Sequence, residues 1–398
     1  MIGIRSITYN ATRDYTDSQQ LRTILKCSEL WDTLYEPHTQ RINLPESYEP
    51  LNLKTLRQTL TVCDYSSVRW VNTPLNPKNG NAAELAKNAL DIVSLSGRAF
   101  VNFIGVDDGV IAPGAFKTYA NLNRQVAGLD RSGVNNFRLG MSYNIGYDCP
   151  FFPFTRSKGD ELSFTIALEM VQDVNTALKE CGKDDLVGIR EATLKAVGGQ
   201  IDYIEELAHK VEKETGVPFK GFDFSLAPVI GNNGSIVTIL NGLGVYNFGH
   251  TGTMFATSFL TDILKELART HPSVGFHGVM YSLLEDLDLC IINNERGVTL
   301  EQFTSLATMC GCGLDMVPIS GDVTPEEIYT CCMDIAAVSC KYDKPLGVRL
   351  LPIPGTKRGQ KIRTSIEGDA DFIANTRIVP LDVNLVPSQG TNFNYLTY

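Results

Sequence analysis

Short apolar runs recur along the chain between longer segments of helical spacing, beginning with MIGIRSITYN, where apolar and polar residues alternate as in a strand. The pattern predicts ten strands, over Ile2–Tyr9, Leu56–Cys63, Val68–Asn72, Ala99–Ile104, Phe137–Ile145, Phe222–Ala227, Val274–Leu283, Leu314–Ile319, Leu346–Pro352 and Ala374–Leu381. Helix starts are explicit between them. Thr324-Pro325-Glu326-Glu327 combines a capping hydroxyl, a first-turn proline and acidic residues against the helix dipole, and predicts a helix to about Cys340. Thr299 with Gln302 forms a second capping box, and the run Gly159 to Glu180 reads as a helix closed by Gly182. Strands alternating with helices define an α/β fold, with a largely parallel sheet or a closed α/β barrel.

With 398 residues and 43% hydrophobic content, the chain can bury a large core. Repeats, low-complexity tracts and separating linkers are absent, so one domain over 1–398 is expected. Two stretches read as long loops, Gly146 to Asp160 and Pro352 to Ala370.

A formal charge of −10 without a basic stripe argues against a nucleic-acid partner. The apolar runs fall short of the roughly 18 residues a membrane span needs. The opening segment has the features of neither a signal peptide nor a transit peptide, which predicts a mature N-terminus and a cytoplasmic protein. In that setting the ten cysteines read as reduced thiols, mostly in the core. Cys331 and Cys332 diverge on a predicted helix, whereas Cys310 and Cys312 flank a glycine in a turn.

Motifs for nucleotide phosphates, dinucleotides and a serine nucleophile elbow are missing, and the five histidines lack zinc spacing, so neither a metal site nor a cofactor is identified. The turn Met309-Cys310-Gly311-Cys312-Gly313-Leu314-Asp315 has two readings. A thiolate there can serve as nucleophile, or the segment is a glycine-rich helix terminator with buried thiols. Asp315 enters an apolar strand and therefore needs a partner. His250-Thr251-Gly252-Thr253 leads into the helical run Met254 to Ala268. Free amides of Thr251, Gly252 and Thr253 would hold an anion, with His250 as acid or base, although a plain helix cap explains the same residues.

Cations supply a third candidate. Lys357, Arg358, Lys361 and Arg363 crowd one loop, following Lys344 and Arg349. The loop can be a solvated charge run, but Arg349 within Leu-Gly-Val-Arg-Leu-Leu-Pro is harder to place in water. In CPFFPFTRSKG, the aromatics with Cys149, Arg156 and Lys158 form either a pocket wall or a packed surface loop.

Six segments in order, IRSIT, PFFP, FDFSLAP, GT with FLTD, CGCGLD and DKPL, resemble the uncharacterised domain-of-unknown-function family no. 711. That family is grouped by fold with pyruvate formate-lyase and ribonucleotide reductase. The resemblance implies a ten-stranded α/β barrel whose interior receives a loop, which bears the catalytic cysteine in the radical enzymes. Gly252, Thr253, Cys310 and Asp315 match the family pattern. No reaction comes with it.

The expectation is a non-radical enzyme acting on a small anionic metabolite inside the barrel. Cys310 or Asp315 would supply chemistry, with His250. Thr251, Gly252, Thr253, Arg349, Lys344, Arg156 and Lys357 would bind substrate. The alternative is a non-catalytic small-molecule binding or sensory protein on the same barrel. A glycyl radical is not expected, because the stretch after Ile373 contains only Gly390, outside an Arg-Val-x-Gly-aromatic setting. A homo-oligomer is the expected assembly.

Overall fold

A computed structural model describes residues 2–181, 185–231, 233–366 and 369–394. Its strands are β1 (Gly3–Asn10), β2 (Thr39–Asn43), β3 (Val68–Leu75), β4 (Ala99–Asp107), β5 (Val110–Ile111), β6 (Leu139–Tyr143), β7 (Ser163–Glu169), β8 (Phe219–Asp223), β9 (Gly313–Ser320), β10 (Leu346–Ile353), β11 (Lys361–Ile366), β12 (Asp369–Arg377) and β13 (Phe393–Asn394). The main sheet runs β8-β7-β1-β2-β3-β4-β6-β10-β9, with β5 and β13 at the margin of β4, while β11 and β12 form a separate hairpin. β1, β2, β3, β4 and β6 are mutually parallel, as are β7 with β8 and β9 with β10; β1/β7 and β6/β10 are antiparallel. The result is a mixed α/β fold with a large, mostly parallel sheet.

The sheet sorts its side chains by alternate position. In β1, Tyr9 faces the helix layer, where its hydroxyl meets Gln40 Oε1 at 2.5 Å. Ser6 and Thr8 face the other way and donate to Pro150 O at 3.2 and 3.4 Å. That second face carries the loop around residues 150–157. Asn43 donates to Thr155 Oγ1 at 3.2 Å, and Asn72 and Asn102 donate to Thr155 O at 3.4 and 2.9 Å. A loop buried against a sheet needs donors for its carbonyls, and these strands supply them from side chains. Phe154 lies against Gly140 of β6 and Gly347 of β10, where a Cβ would come within 2.5 and 2.6 Å of its ring.

Both capping boxes form as the sequence predicts, opening the Leu300–Ala307 and Pro325–Tyr342 helices. Eight of the ten predicted strands overlap observed ones, those at Phe222–Ala227 and Ala374–Leu381 only partly. Leu56–Cys63 is instead the Leu53–Leu60 helix followed by a 3-10 turn. Asn52 caps its first amides, and the buried Leu56, Thr59 and Leu60 have helical rather than alternating spacing. The predicted helix from Gly159 to Glu180 divides into β7 and the helix Val171–Cys181, because Phe164, Ile166 and Leu168 alternate with Thr165 and Ala167; Gly182 lies outside the described residues. The predicted loop from Pro352 to Ala370 contains β11.

Val274–Leu283 is not a regular strand. Single bridges tie Ser273 to Phe222, Val279 to Leu226 and Ser282 to Asp315, so the segment runs between β8 and β9. Gly275 at φ +104° and His277 at φ +50° break its pleat. Both serve Asp223, whose carboxylate accepts from Ser225 N and Phe276 N at 2.7 Å. Among the described residues, no helix is long and apolar enough to cross a membrane.

Candidate functional site

On the loop-bearing face, a cavity of about 40 Å³ is bounded by Arg5, Arg41, Arg349, Glu285, Asp315 and Cys312, with aromatic walls that include Trp70, Phe152 and Phe154. This is room for roughly two or three waters. A second recess shares Arg5, Arg41, Trp70, Pro228 and Glu285 and continues past His38 and Arg69. The loop with clustered aromatics is therefore a wall of this cavity.

Arg349 and Asp315, each singled out in the sequence as a charge needing a partner, satisfy one another. Arg349 Nε reaches Asp315 Oδ1 at 2.6 Å and Nη2 reaches Oδ2 at 2.9 Å, a bidentate pair on adjacent strands. Nη1 donates to Phe137 O at 3.2 Å, and the guanidinium lies over Phe137 and Phe154. Burial works against its charge, but Asp315 and then Glu285 outweigh burial and raise its pKa. Arg349 is thereby committed within the protein.

Arg41 is the opposite case. Only 7% exposed, it lies between the rings of Trp70 and Phe152, 4.9 and 5.3 Å from their centroids. Nε donates to Thr39 Oγ1 at 3.0 Å and Nη1 to Pro150 O at 3.3 Å, both neutral acceptors. Burial, reinforced by Arg5 and offset only in part by Glu285, lowers its pKa from 12.5 to about 9. Arg5 donates to Pro228 O at 2.9 Å and stands 3.5 Å from Glu285, which also faces Arg349 at 3.9 Å. Three guanidiniums thus share two carboxylates, and the excess positive charge sits on Arg41.

Cys312 lines the cavity, and Cys310 sits beside it in the apolar core; each is 1% exposed. Interaction with the neighbouring Cys312 thiol pulls the first ionisation, at Cys310, below the ordinary thiol range against the cost of burial, with help from Lys344, and pushes Cys312 well above it. Lys344 Nζ donates to the carbonyls of Ala307, Thr308 and Cys310 at 2.8, 3.2 and 2.6 Å, which closes a helix end.

The other sequence candidates lie elsewhere. His250 and Thr251 are exposed, Gly252 caps the Thr253–Thr270 helix at φ +104°, and Thr253 Oγ1 accepts from Gly249 N at 3.1 Å. None of these four lines the Arg349 cavity, so the structure does not join the helix start to that arginine. Arg156 pairs with Asp107 at 2.8 Å and Glu46 at 3.5 Å, beyond the cavity walls. Lys357 is exposed in the turn after β10. Sequence reasoning passed over Arg41, Glu285 and the role of Arg5. The available signal for Arg41 was an arginine at the centre of Thr39-Gln40-Arg41-Ile42-Asn43, sharing a face with Thr39 and Asn43 in a wholly buried strand.

A family profile described as "Uncharacterised ACR (DUF711)" matches residues 76–365. A UPF0210 protein of Pyrobaculum arsenaticum is 30% identical over 227 residues, covering 56% of this chain and 50% of its own length. UPF0210 proteins of Methanosarcina barkeri, 27% identical over 257 residues, and Lactobacillus delbrueckii subsp. bulgaricus, 28% over 236, are covered over 55% and 52% of their lengths, on 63% and 58% of this chain. The chain spans about half the length of the curated relatives it matches.

Proposed function

Since the chain belongs to the DUF711 family, described as uncharacterised, we propose from the site itself that the protein is a non-radical enzyme acting on a small anionic metabolite within a ten-stranded α/β barrel. Closure is supported by the bridges that join β8 to β9 through Ser273–Ser282. With that segment as the tenth stave, β1, β2, β3, β4 and β6 make one parallel half. β7, β8, the segment, β9 and β10 make the other, ten staves in all, the number that the resemblance to pyruvate formate-lyase and ribonucleotide reductase implies.

One observation carries the anion reading. Arg41 is a buried guanidinium with only neutral acceptors, facing a cavity. A buried charge without a counter-charge is costly, and an anionic ligand supplies the missing partner. Arg41 and Arg5 hold the anionic group, while the Arg349–Asp315 pair fixes the opposite wall and Cys312 presents the thiol. The cavity suits a carboxylate or phosphate head group, and the rest of the ligand extends past His38 and Arg69.

A specific observation favours the second reading, a binding or sensory protein: Asp315 already gives both oxygens to Arg349 and has none left as a free base. A thermal-shift series with phosphate, sulfate and dicarboxylates tests the site. Wild type gains stability with concentration, about 2.7 kcal/mol at a hundredfold excess over Kd, and Arg41→Met gains none. Equal gains in both proteins refute the site. Turnover of a stabilising anion that disappears in Cys312→Ser, with binding retained, separates the enzyme from the binding protein.

A further inference from the structure

We infer that Cys310 and Cys312 form a reversible oxidation site, at which hydrogen peroxide entering the cavity converts the dithiol into an intramolecular disulfide. Three features single out this pair. The chain bends through residues 310–312, which brings residues two apart within the Cα separation of roughly 4.4–6.8 Å that a disulfide requires. The one residue between the two cysteines, Gly311, contributes no side chain. Gly311 packs main chain to main chain on Gly278, where a Cβ on Gly311 would lie 2.8 Å from Gly278 Cα. Finally, Cys312 is on the wall of a cavity that admits water-sized molecules, and peroxide is little larger.

The chemistry balances with peroxide as oxidant. Cys312, the thiol on the cavity wall, passes its proton to the neighbouring Cys310 thiolate and attacks one peroxide oxygen. The O–O bond breaks, hydroxide leaves and takes up a proton as water, and Cys312 becomes a sulfenic acid. Cys310 sulfur then attacks Cys312 sulfur. The S–S bond forms, the S–O bond breaks, and the hydroxyl departs as water with the Cys310 proton. Two electrons pass from sulfur to peroxide, giving one disulfide and two waters.

Other thiols lack this combination. Cys331 and Cys332 are adjacent but buried on the Pro325–Tyr342 helix, where burial raises both pKa values. Burial likewise raises Cys27, Cys63, Cys149, Cys290 and Cys340.

The test treats the full chain with hydrogen peroxide at neutral pH and without added anions, so that its outcome is independent of the anion-binding proposal. Thiols are then counted by alkylation after denaturation, and the crosslink is mapped by mass spectrometry. The expected result is a loss of two alkylatable thiols from ten, mapped to Cys310 and Cys312 and restored by dithiothreitol. In Cys310→Ser no pair is lost, and a dione probe captures a sulfenic acid on Cys312. Wild type that keeps all its thiols, or loses a pair elsewhere, overturns the inference, as does loss of two thiols in Cys310→Ser. Should that variant not fold, the wild-type map decides alone.

Discussion

Replacing Arg41 by methionine should stabilise the ligand-free protein. At neutral pH the guanidinium is charged in both folded and unfolded chains, but burial and the neighbouring arginines lower its folded pKa from 12.5 to about 9. A cation with a depressed folded pKa destabilises the fold at every pH below that value, and the cost fades only as pH rises through about 9 towards 12.5. The difference corresponds to about 5 kcal/mol against the charge. Methionine forfeits the stacking on Trp70 and Phe152, about 2 kcal/mol in a dry site, although its thioether recovers part of that. The lost hydrogen bonds strand no acceptor, because Pro150 O still receives Ser6 and Thr8 and Thr39 Oγ1 still donates to Arg5 O. The net expectation is a gain of about 3 kcal/mol, which for a chain of 398 residues raises Tm by roughly 3–4 °C. Urea and thermal melts in anion-free buffer at pH 7 measure it. A variant less stable than wild type would refute the reasoning, since Arg41 would then be a structural keystone rather than a charge held for a ligand.

Removing one partner of the other buried charge pair acts in the opposite direction. Asp315→Asn leaves Arg349 buried without its bidentate carboxylate and should cost about 3–5 kcal/mol in a urea melt; a loss under 1 kcal/mol would show that Glu285 takes over. Gly311→Ala forces a Cβ to 2.8 Å from Gly278 Cα, backbone against backbone, and should destabilise by about 2 kcal/mol or more, read as the urea midpoint. Asp286, buried while accepting from Ser235, Ile236 and Leu289, has a pKa raised to about 6. A raised carboxyl contributes stability that is complete below its unfolded pKa and lost as pH rises through the folded one. Wild type should therefore gain on Asp286→Asn by about 2–3 kcal/mol between pH 7 and pH 4, and parallel pH profiles would contradict this.

Local signals carried the readable part of the fold. A capping box depends on residues three apart, so Thr299 with Gln302 and Thr324 with Glu327 could be found without tertiary knowledge. Strands such as β4 and β10 are apolar at most positions, Asn102, Asp107 and Arg349 apart, and were equally plain. β2 was not, because Thr39-Gln40-Arg41-Ile42-Asn43 offers one apolar residue, and tertiary burial rather than propensity makes it a strand. The segment from Ser273 has strand-like composition, yet the left-handed turns at Gly275 and His277 that wrap Asp223 interrupt its ladder.

The site was half legible for a related reason. A charge inside an apolar strand announces that it needs a partner, and on that ground Asp315 and Arg349 stood out separately; their 2.6 and 2.9 Å contacts make each the answer to the other. The same rule applies to Arg41, but its strand did not look apolar, so its charge raised no alarm. The corrective signal is periodic. Ser6, Thr8 and Asn10 in β1, Arg41 and Asn43 in β2, Asn72 in β3 and Asn102 in β4 occupy one face of strands whose other face is packed. A parallel sheet covered by helices on one side and by apolar layers on the other has no use for such a row. Asn43 Nδ2 reaches Asn10 Oδ1, and Asn72 Nδ2 reaches Asn43 Oδ1, each at 3.1 Å, so the row is a ladder from which Asn43, Asn72 and Asn102 also donate to Thr155. Polar residues at every second position of buried strands therefore imply a polar guest on the inner face. Here the guest is the loop 150–157, and Arg41 stands where the ladder ends and the cavity begins.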